Sequence, residues 1–262
     1  MDVWVLVRDI KLTLHDFCIE EDGLILNIKL TTEFDFKRHV EKSLGGDFSH
    51  SMLMQARVIH TKDESITSFL ADFTQVGADD RALTFFQLAC DLISRMEKIE
   101  KWLTVKEDPL YAQLWALKAA EEYANAQLVL DNKPTSREAI LKVMAYAPEK
   151  MRPLYERPMQ GFMTREEVET TLAFYRSFLI ENLDLLKQPI ISYMADGIPR
   201  TITTLTKHFR MWSHGIYHIF DFLEEMGIVA RVTENTRLTP KSRNTVEEVA
   251  FIYIENMTSV CC

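Results

Sequence analysis

The chain is poor in three features that would place it in a specialised class of protein. Only four of its 262 residues are cysteine, and their positions outline neither a metal-ligand spacing nor a disulfide framework. No apolar run approaches the roughly 20 residues that span a bilayer, and the first residues lack the basic and apolar regions of a signal peptide. Basic residues are outnumbered, with 30 Lys and Arg against 39 Asp and Glu, which disfavours a nucleic-acid coat or a membrane-surface protein. These absences predict a cytoplasmic protein with no membrane partner.

The composition is that of a folded protein with more than one domain. Hydrophobic residues make up 47% of the chain and charged residues 26%, so there is enough apolar material for true cores. Its length exceeds the roughly 100 to 200 residues of a single domain. We divide the sequence into residues 1–62, 63–187 and 188–256, because the pattern of apolar residues changes at those two boundaries.

The first part has the pattern of β-strands. A continuous apolar run from Val3 to Val7 predicts a central strand that is buried on both faces. Alternating apolar residues over 10–18 and 24–30, separated by the turn Glu21-Asp22-Gly23, predict a β-hairpin. Residues 57–60 are predicted as one more strand. The first part is therefore expected to be a small sheet.

Helical signals follow from Asp63 for about 130 residues. Residues 80–103 and 109–128 each place apolar side chains on one helical stripe, including Leu83 on the first helix and Leu114 on the second. The segments Thr135–Glu138 and Thr164–Glu167 both have the capping-box form, with a hydroxyl at the N-cap and a carboxylate three residues later. These patterns predict an antiparallel helical bundle.

The last part combines short helices with two strands. Helices are predicted over 189–195, 201–209 and 213–226, and strands over 228–232 and 246–254. Three helices followed by a hairpin form the order of a winged helix-turn-helix. The predicted fold class is therefore α+β: a small mixed sheet, an antiparallel bundle and a C-terminal winged helix.

The first part resembles the nucleotidyltransferase superfamily, in which a small mixed sheet carries an Asp-x-Asp pair on one strand and a third acid on a neighbouring strand. The resemblance rests on the segments Met1–Val7, His15–Phe17 and Gly23–Ile28. It implies two divalent ions held by three carboxylates, because the ions activate the attacking oxygen and neutralise the triphosphate.

The sequence departs from that family at the residues that matter most. Only Asp2 of the acid pair is present, as the one candidate metal ligand, and Asn27 stands where the third acid is expected. Asp16 is the other acid near this site. The family's Gly-Ser turn has no place before the first strand. We therefore assign no catalytic residue and expect Mg²⁺ as a cofactor only if the protein is active, and otherwise none.

The helical part resembles the substrate-binding domain of kanamycin nucleotidyltransferase-type proteins over 111–122 and 133–138. In those proteins a helix supplies a Lys and a Glu that face the nucleotide cleft. The resemblance implies substrate-binding roles for Tyr111, Lys118 and Glu122, which share one helix face. The alternative is a surface ion pair between Lys118 and Glu122, which are four residues apart.

A local basic excess marks the predicted winged helix. Between Arg200 and Arg243 there are seven basic and four acidic residues, a net charge of 7 − 4 = +3. The third helix of such a motif enters the major groove and its wing contacts phosphates. The candidate nucleic-acid-binding residues are Lys207, Arg210, His214, Tyr217, His218, Arg237, Lys241 and Arg243. A docking or dimerisation role is the alternative. His60, His208 and the other histidines are interpreted as core or surface residues.

Taken together, these features predict a nucleotidyltransferase-like protein that is catalytically impaired as given. It would keep a cleft for a nucleotide, a small molecule or a partner, and would contact DNA through the winged helix. Two alternatives remain open at this point. One is an active nucleotidyltransferase whose start is mis-assigned, and the other is a winged-helix transcriptional regulator of prokaryotic type. A homodimer is also left open.

Overall fold

A three-stranded mixed sheet opens the fold. Its strands are β1 (Asp2–Val7), β2 (Asp16–Glu21) and β3 (Leu24–Thr32). The strand order is β1-β3-β2, with β1 parallel and β2 antiparallel to β3. The computed structural model describes residues 1–8, 11, 14–42, 53, 56–73, 78–237, 239 and 244–254. The β2–β3 hairpin confirms the prediction from alternation, although part of its first half lies outside the described residues.

Two helices, α1 (Glu33–Lys42) and α2 (Glu64–Phe73), belong to this N-terminal region. Trp4 and Leu6 of β1 pack against a small core that contains Phe36 and Val40 of α1. The ring centroids of Trp4 and Phe36 lie 5.6 Å apart. Because successive residues of a strand point to opposite faces, Val5 faces away from this core, and it is 37% exposed.

Two predictions for the N-terminal region are wrong. The run from Val3 to Val7 does form a strand, but β3 takes the central position and no residue of β1 is fully buried. The apolar run is therefore an edge strand with one covered face. Residues 57–60 form no strand, and Val58 and Ile59 are 38% and 82% exposed.

Helices dominate the rest of the chain, as the periodicity predicted. They are α3 (Ala78–Thr104), α4 (Pro109–Leu130), α5 (Ala139–Tyr146), α6 (Pro148–Met151), α7 (Arg157–Met159), α8 (Arg165–Glu181), α9 (Leu183–Leu186) and α10 (Gln188–Met194). A π-helical turn, Arg152–Glu156, joins α6 to α7. Within the described residues, no helix is both long and apolar enough to cross a membrane.

The helices α3 and α4 form an antiparallel pair. The Arg81 guanidinium at the start of α3 donates to the Leu130 carbonyl at the end of α4, at 3.0 Å. At the opposite end the rings of Trp102 and Tyr111 lie 4.2 Å apart. Asp108 caps α4 by accepting from the Tyr111 amide, at 2.9 Å.

The buried stripes of these two helices differ from the predicted ones. Leu83 and Leu114 are 36% and 40% exposed. Small residues of α4 are buried instead, including Ala112, Ala116 and Ala120. The Tyr175 hydroxyl of α8 donates to the Ala116 carbonyl at 2.9 Å, so α8 covers part of this stripe.

One of the two predicted capping boxes forms. The Thr164 hydroxyl accepts from the Glu167 amide while the Glu167 carboxylate accepts from the Thr164 amide, and α8 starts there. The box predicted over Thr135–Glu138 is wrong, since α5 starts after Glu138 without a side-chain cap. Its Ser136 amide donates to Asn125 Oδ1 of α4, at 2.8 Å, so the segment is held as a buried turn.

The C-terminal elements follow the predicted order of three helices and a hairpin. After α10 come α11 (Ile202–Phe209) and α12 (Ser213–Glu225). A sheet of order β4-β6-β5 is formed by β4 (Arg200–Thr201), β5 (Val229–Arg237) and β6 (Thr245–Tyr253). The α+β class is thus confirmed.

The bundle and the C-terminal elements share one hydrophobic core. Phe86 of α3 packs against Phe209 of α11 with ring centroids 4.7 Å apart, and Phe220 of α12 packs against Phe251 of β6 at 5.1 Å. The described core is therefore continuous from α3 to β6. The domain boundaries at 62 and 187 stay predictions.

Candidate functional site

A polar cluster between α3 and α4 is the strongest candidate site. Glu122 of α4 accepts a hydrogen bond from Arg95 Nη2 of α3, at 3.3 Å, and its side chain is only 17% exposed. Asp91 lies one turn before Arg95 on α3. Burial, together with the charge of Asp91, raises the pKa of the Glu122 carboxyl to about 7 despite the opposing effect of Arg95. The carboxyl can therefore take up or release a proton near neutral pH.

Trp115 forms the aromatic part of the cluster. Lys118 Nζ lies 4.5 Å from the centre of its ring, and the Arg95 guanidinium lies 5.7 Å from it. Both distances fall within the range of cation–π contacts. The indole ring therefore lies close to two cationic groups, one from each helix.

Two buried donors in this cluster have no hydrogen-bond partner among the described residues. They are Arg95 Nε and Trp115 Nε1. A buried donor without a partner costs about 1 to 3 kcal/mol, and such groups are rare unless water or a ligand reaches them. Both donors are enclosed by protein atoms, so a molecule that carries acceptors would reach them only if neighbouring side chains move aside.

The C-terminal region contributes a second indole. Trp212, just before α12, donates from Nε1 to Asp91 Oδ1 at 3.4 Å, and its side chain is 47% exposed. Burial is also the largest cause of a raised pKa at Asp91. The site therefore combines side chains from α3, from α4 and from the segment that precedes α12.

The cluster contains only part of the predicted substrate-binding set. Lys118 and Glu122 belong to it, but Glu122 pairs with Arg95 rather than with Lys118. Tyr111 stacks on Trp102 in the first turn of α4, roughly 16 Å along the helix from Glu122 at 1.5 Å per residue.

The remaining members were not found from the sequence. They are Asp91, Arg95, Trp115 and Trp212. The one available signal was the i,i+4 spacing of Asp91 and Arg95 within an otherwise apolar stretch of α3.

Asp2 lies in a second, exposed polar group on the N-terminal sheet. Asn27 Nδ2 donates to the Asp2 carboxylate at 2.9 Å, and Cys18 Sγ donates to Asn27 Oδ1 at 3.1 Å. The register places Asp2 beside Asn27, as the resemblance implied, and pairs Asp16 with Lys29. One carboxylate, one amide and one thiol do not fit a pair of magnesium ions, which require several oxygen ligands. No metal-binding group of three His, Cys, Asp or Glu residues occurs in the described part of the chain.

The predicted recognition helix, α12, packs along α3. Gly215 and Phe222 are buried, and His218 lines a cavity of about 280 Å³ together with Glu97 of α3 and Arg176 of α8. The Tyr217 hydroxyl accepts from Arg231 Nη1 at 3.1 Å. Of the predicted groove-facing side chains, Tyr217 therefore has a hydrogen-bond partner within the protein and His218 lines that cavity.

The charge of α12 also differs from that of a typical DNA reader. The helix contains Asp221, Glu224 and Glu225 and has no Lys or Arg. Arg231 pairs with Asp221 and Glu224, so this cation is engaged within the protein.

The other predicted nucleic-acid-binding residues lie around α12. His214 is exposed, as are Lys207, Arg210 and Arg237. Lys241 and Arg243 lie outside the described residues. The exposed cations are thus spread over the α11 side and the hairpin rather than along α12.

The fold of the chain is similar to that of a solved nucleotidyltransferase-like protein. One solved structure with this fold is the nucleotidyltransferase-like protein from Exiguobacterium sibiricum 255-15, which superposes with a TM-score of 0.71 over 96% of this chain and 85% of that chain. The two sequences are 13% identical, so the likeness concerns the fold alone. No protein-family model matches the sequence. No curated protein matches it either.

Proposed function

We propose that the protein is a nucleotidyltransferase-like binding protein that has lost or nearly lost nucleotide transfer. It binds a nucleotide, or a small molecule with an aromatic ring and an anionic group, at the cluster between α3 and α4. The observation that carries this proposal is the pair of buried, unpartnered donors on Arg95 and Trp115 beside a carboxyl with a pKa of about 7.

The chemistry of the cluster favours a nucleotide over a neutral apolar ligand. Arg95 and Lys118 provide positive charge, and a guanidinium recognises phosphate through several donors in one plane. Trp115 and Trp212 provide aromatic surface for a planar base. The Glu122 carboxyl, when protonated, donates a hydrogen bond, and when ionised it accepts one.

The N-terminal sheet supports the loss of transfer. Phosphoryl and nucleotidyl transfer depend on cations that neutralise the charge developing on the phosphates. Asp2 is the only carboxylate in its hydrogen-bonded group, and Asn27 occupies the neighbouring strand position. The protein would then keep the binding half of the family's activity without the metal-dependent half.

The test is a calorimetric titration of the tag-free chain with ATP, GTP, CTP and UTP. We expect saturable binding of at least one of them. Arg95→Ala should weaken it by about 10- to 100-fold, because a charged hydrogen-bond partner is lost. The matched control is Arg152→Ala, which removes an arginine whose ion pair with Glu156 is largely exposed. Equal affinities for the wild type and Arg95→Ala would exclude this site.

For the C-terminal region we propose a winged helix with a structural role. The support comes from α12, which lies against α3 and carries three acidic residues but no Lys or Arg. In this role the motif would hold Trp212 against the cluster rather than enter a groove.

A DNA titration of the full chain at low salt tests that role. We expect no saturable binding, and no change when Lys207, Arg210 and Arg237 are replaced together by Ala. Saturable binding by the wild type that this triple variant weakens, with a salt slope that becomes shallower by about 0.9 per lost contact, would restore the DNA-binding alternative.

A further inference from the structure

Two imidazoles stand side by side at the surface of α12. His214 and His218 are four residues apart, so they project from the same face of the helix. Their Nε2 atoms lie 2.9 Å apart, and the planes of their rings are inclined by 73°. The ring centroids lie only 4.1 Å apart. This distance is shorter than it would be if the two nitrogens pointed straight at each other along the line between the ring centres. The two Nε2 atoms therefore lie on adjacent edges of the rings.

We propose that His214 and His218 form a binding site for a divalent transition-metal ion. Metal–nitrogen bonds to histidine are about 2.0 to 2.1 Å long, so two such bonds at a right angle hold their nitrogens about 2.9 Å apart. The observed separation has this value, and without a metal it is a hydrogen bond between the two imidazoles, which a bound ion would replace. Imidazole is a ligand for zinc, copper and nickel, and affinity rises from nickel to copper and falls again at zinc.

The surroundings favour a cation. His218 lines the cavity between α3, α8 and α12, whose acidic side chains are Glu97, Glu100, Glu169, Asp221 and Glu225. Arg176 lines the same cavity, and Lys98 of α3 lies close enough to His218 to act on it electrostatically. Three of these acids are in ion pairs: Glu169 with Arg165, Asp221 with Arg231 and Glu225 with Arg176. Five carboxylates thus stand beside four cations, a net charge of 4 − 5 = −1.

The site has room for further ligands. In the described residues no third His, Cys, Asp or Glu completes a coordination shell. Water or an incoming small molecule would fill the remaining positions. An open site with two protein ligands predicts a dissociation constant in the micromolar range, on the order of 1 to 10 µM for copper or nickel, rather than the far tighter binding of a closed structural site.

Calorimetric titration of the tag-free chain with NiCl₂, CuCl₂ and ZnCl₂ tests the proposal. We expect one site per chain, with copper bound most tightly. His214→Ala and His218→Ala should each weaken binding by at least about tenfold, because the second ligand no longer adds to the first. His60→Ala, which removes an exposed imidazole on a coil segment, is the matched control and should leave the affinity unchanged. MgCl₂ should not compete, because magnesium prefers oxygen ligands.

A second measurement keeps the result independent of stability. Addition of Cu²⁺ at a tenth of the protein concentration should broaden the imidazole proton resonances of His214 and His218 before those of His60. The proposal is overturned if copper and nickel show no saturable binding below about 1 mM. It is also overturned if either single variant binds like the wild type, or if the His60 resonances broaden first.

Discussion

The N-terminal sheet and the helical body that follows it differ greatly in the size of their hydrophobic cores. The described buried residues of the N-terminal core are Phe36, Val40 and Leu53, with a few half-buried neighbours such as Trp4. The core of the helical body runs without a break from α3 to β6. Within the described residues, the extensive contacts between elements stay inside one region or the other.

This difference explains where a binding site can form. A carboxyl with a strongly raised pKa requires burial, and burial requires a core to surround it. Glu122 meets that condition because two long helices pack beside it. Asp2 belongs to an exposed hydrogen-bonded row at one end of a thin sheet. We therefore expect the ligand-binding site in the helical body rather than on the N-terminal sheet.

The largest predicted effect is on stability, and it should distinguish the hydrophobic core of the helical body from that of the N-terminal sheet. Phe86→Ala removes a fully buried ring from the helical body and should lower its free energy of unfolding by about 3 to 5 kcal/mol. Phe36→Ala should loosen the N-terminal sheet but leave the urea unfolding of the body unchanged. Hydrogen exchange of α3 and β3 amides in both variants measures this. Equal loss of protection in both regions would show that they unfold together and would contradict the comparison.

The next effect concerns pH. Because the pKa of Glu122 is raised from 4.5 to about 7, the folded state binds its proton more tightly than the unfolded chain does. The resulting stabilisation is complete below about pH 4.5 and is lost as the pH rises through about 7, by up to about 3 kcal/mol. Glu122→Gln should abolish this pH dependence.

Urea unfolding of the wild type and of Glu122→Gln at pH 5 and pH 8 measures the change. The stability difference between the two proteins should shift in favour of the variant by about 2 kcal/mol between these pH values. If the stability difference between the wild type and Glu122→Gln is the same at pH 5 and at pH 8, the pKa of Glu122 is not raised by folding and this prediction is wrong.

A single buried amide holds the loop before α8. Gln113 of α4 donates to the carbonyls of Pro158 and Gly161, at 2.7 and 2.9 Å, and accepts from the Met163 amide at 2.8 Å. Gln113→Ala should cost about 2 kcal/mol, because it leaves buried backbone groups without partners. Thermal unfolding and proteolysis near Gly161 report the loss. A variant as stable and as resistant as the wild type would show that this amide does not hold the loop.

The smallest effect comes from the cap of α8. Thr164→Ala removes the hydroxyl that accepts from the Glu167 amide and should cost about 1 kcal/mol. Thr170→Ala on the same helix is the control, since its hydroxyl bonds only to the Glu166 carbonyl one turn back. The urea concentration at the midpoint of unfolding should therefore be highest for the wild type, lower for Thr170→Ala and lowest for Thr164→Ala. The reverse order for the two variants would count against the cap.

The sequence predicted local structure better than it predicted the site. Alternation and the Asp22-Gly23 turn identified the β2–β3 hairpin, and the Thr164–Glu167 pattern identified the start of α8, because both signals act between near neighbours. The prediction that Leu83 is buried was wrong, because the burial of a helix residue depends on which face of the helix its partner covers.

The candidate site depends on contacts that are distant in sequence. Arg95 and Glu122 are 27 positions apart, and Trp212 and Asp91 are 121 apart. Only tertiary packing brings them together. The i,i+4 rule incorrectly paired Lys118 with Glu122, since a rule about one helix cannot include Arg95 from the neighbouring helix α3.

The most direct test combines binding and transfer in one sample. The tag-free chain is incubated with each labelled nucleoside triphosphate, Mg²⁺ or Mn²⁺, and a panel of aminoglycosides and RNAs, and bound and covalently transferred label are then counted separately. We expect bound label to dialyse away slowly from the wild type and quickly from Arg95→Ala. We also expect that no label is incorporated into an acceptor. Magnesium-dependent incorporation that Asp2→Ala abolishes would contradict it.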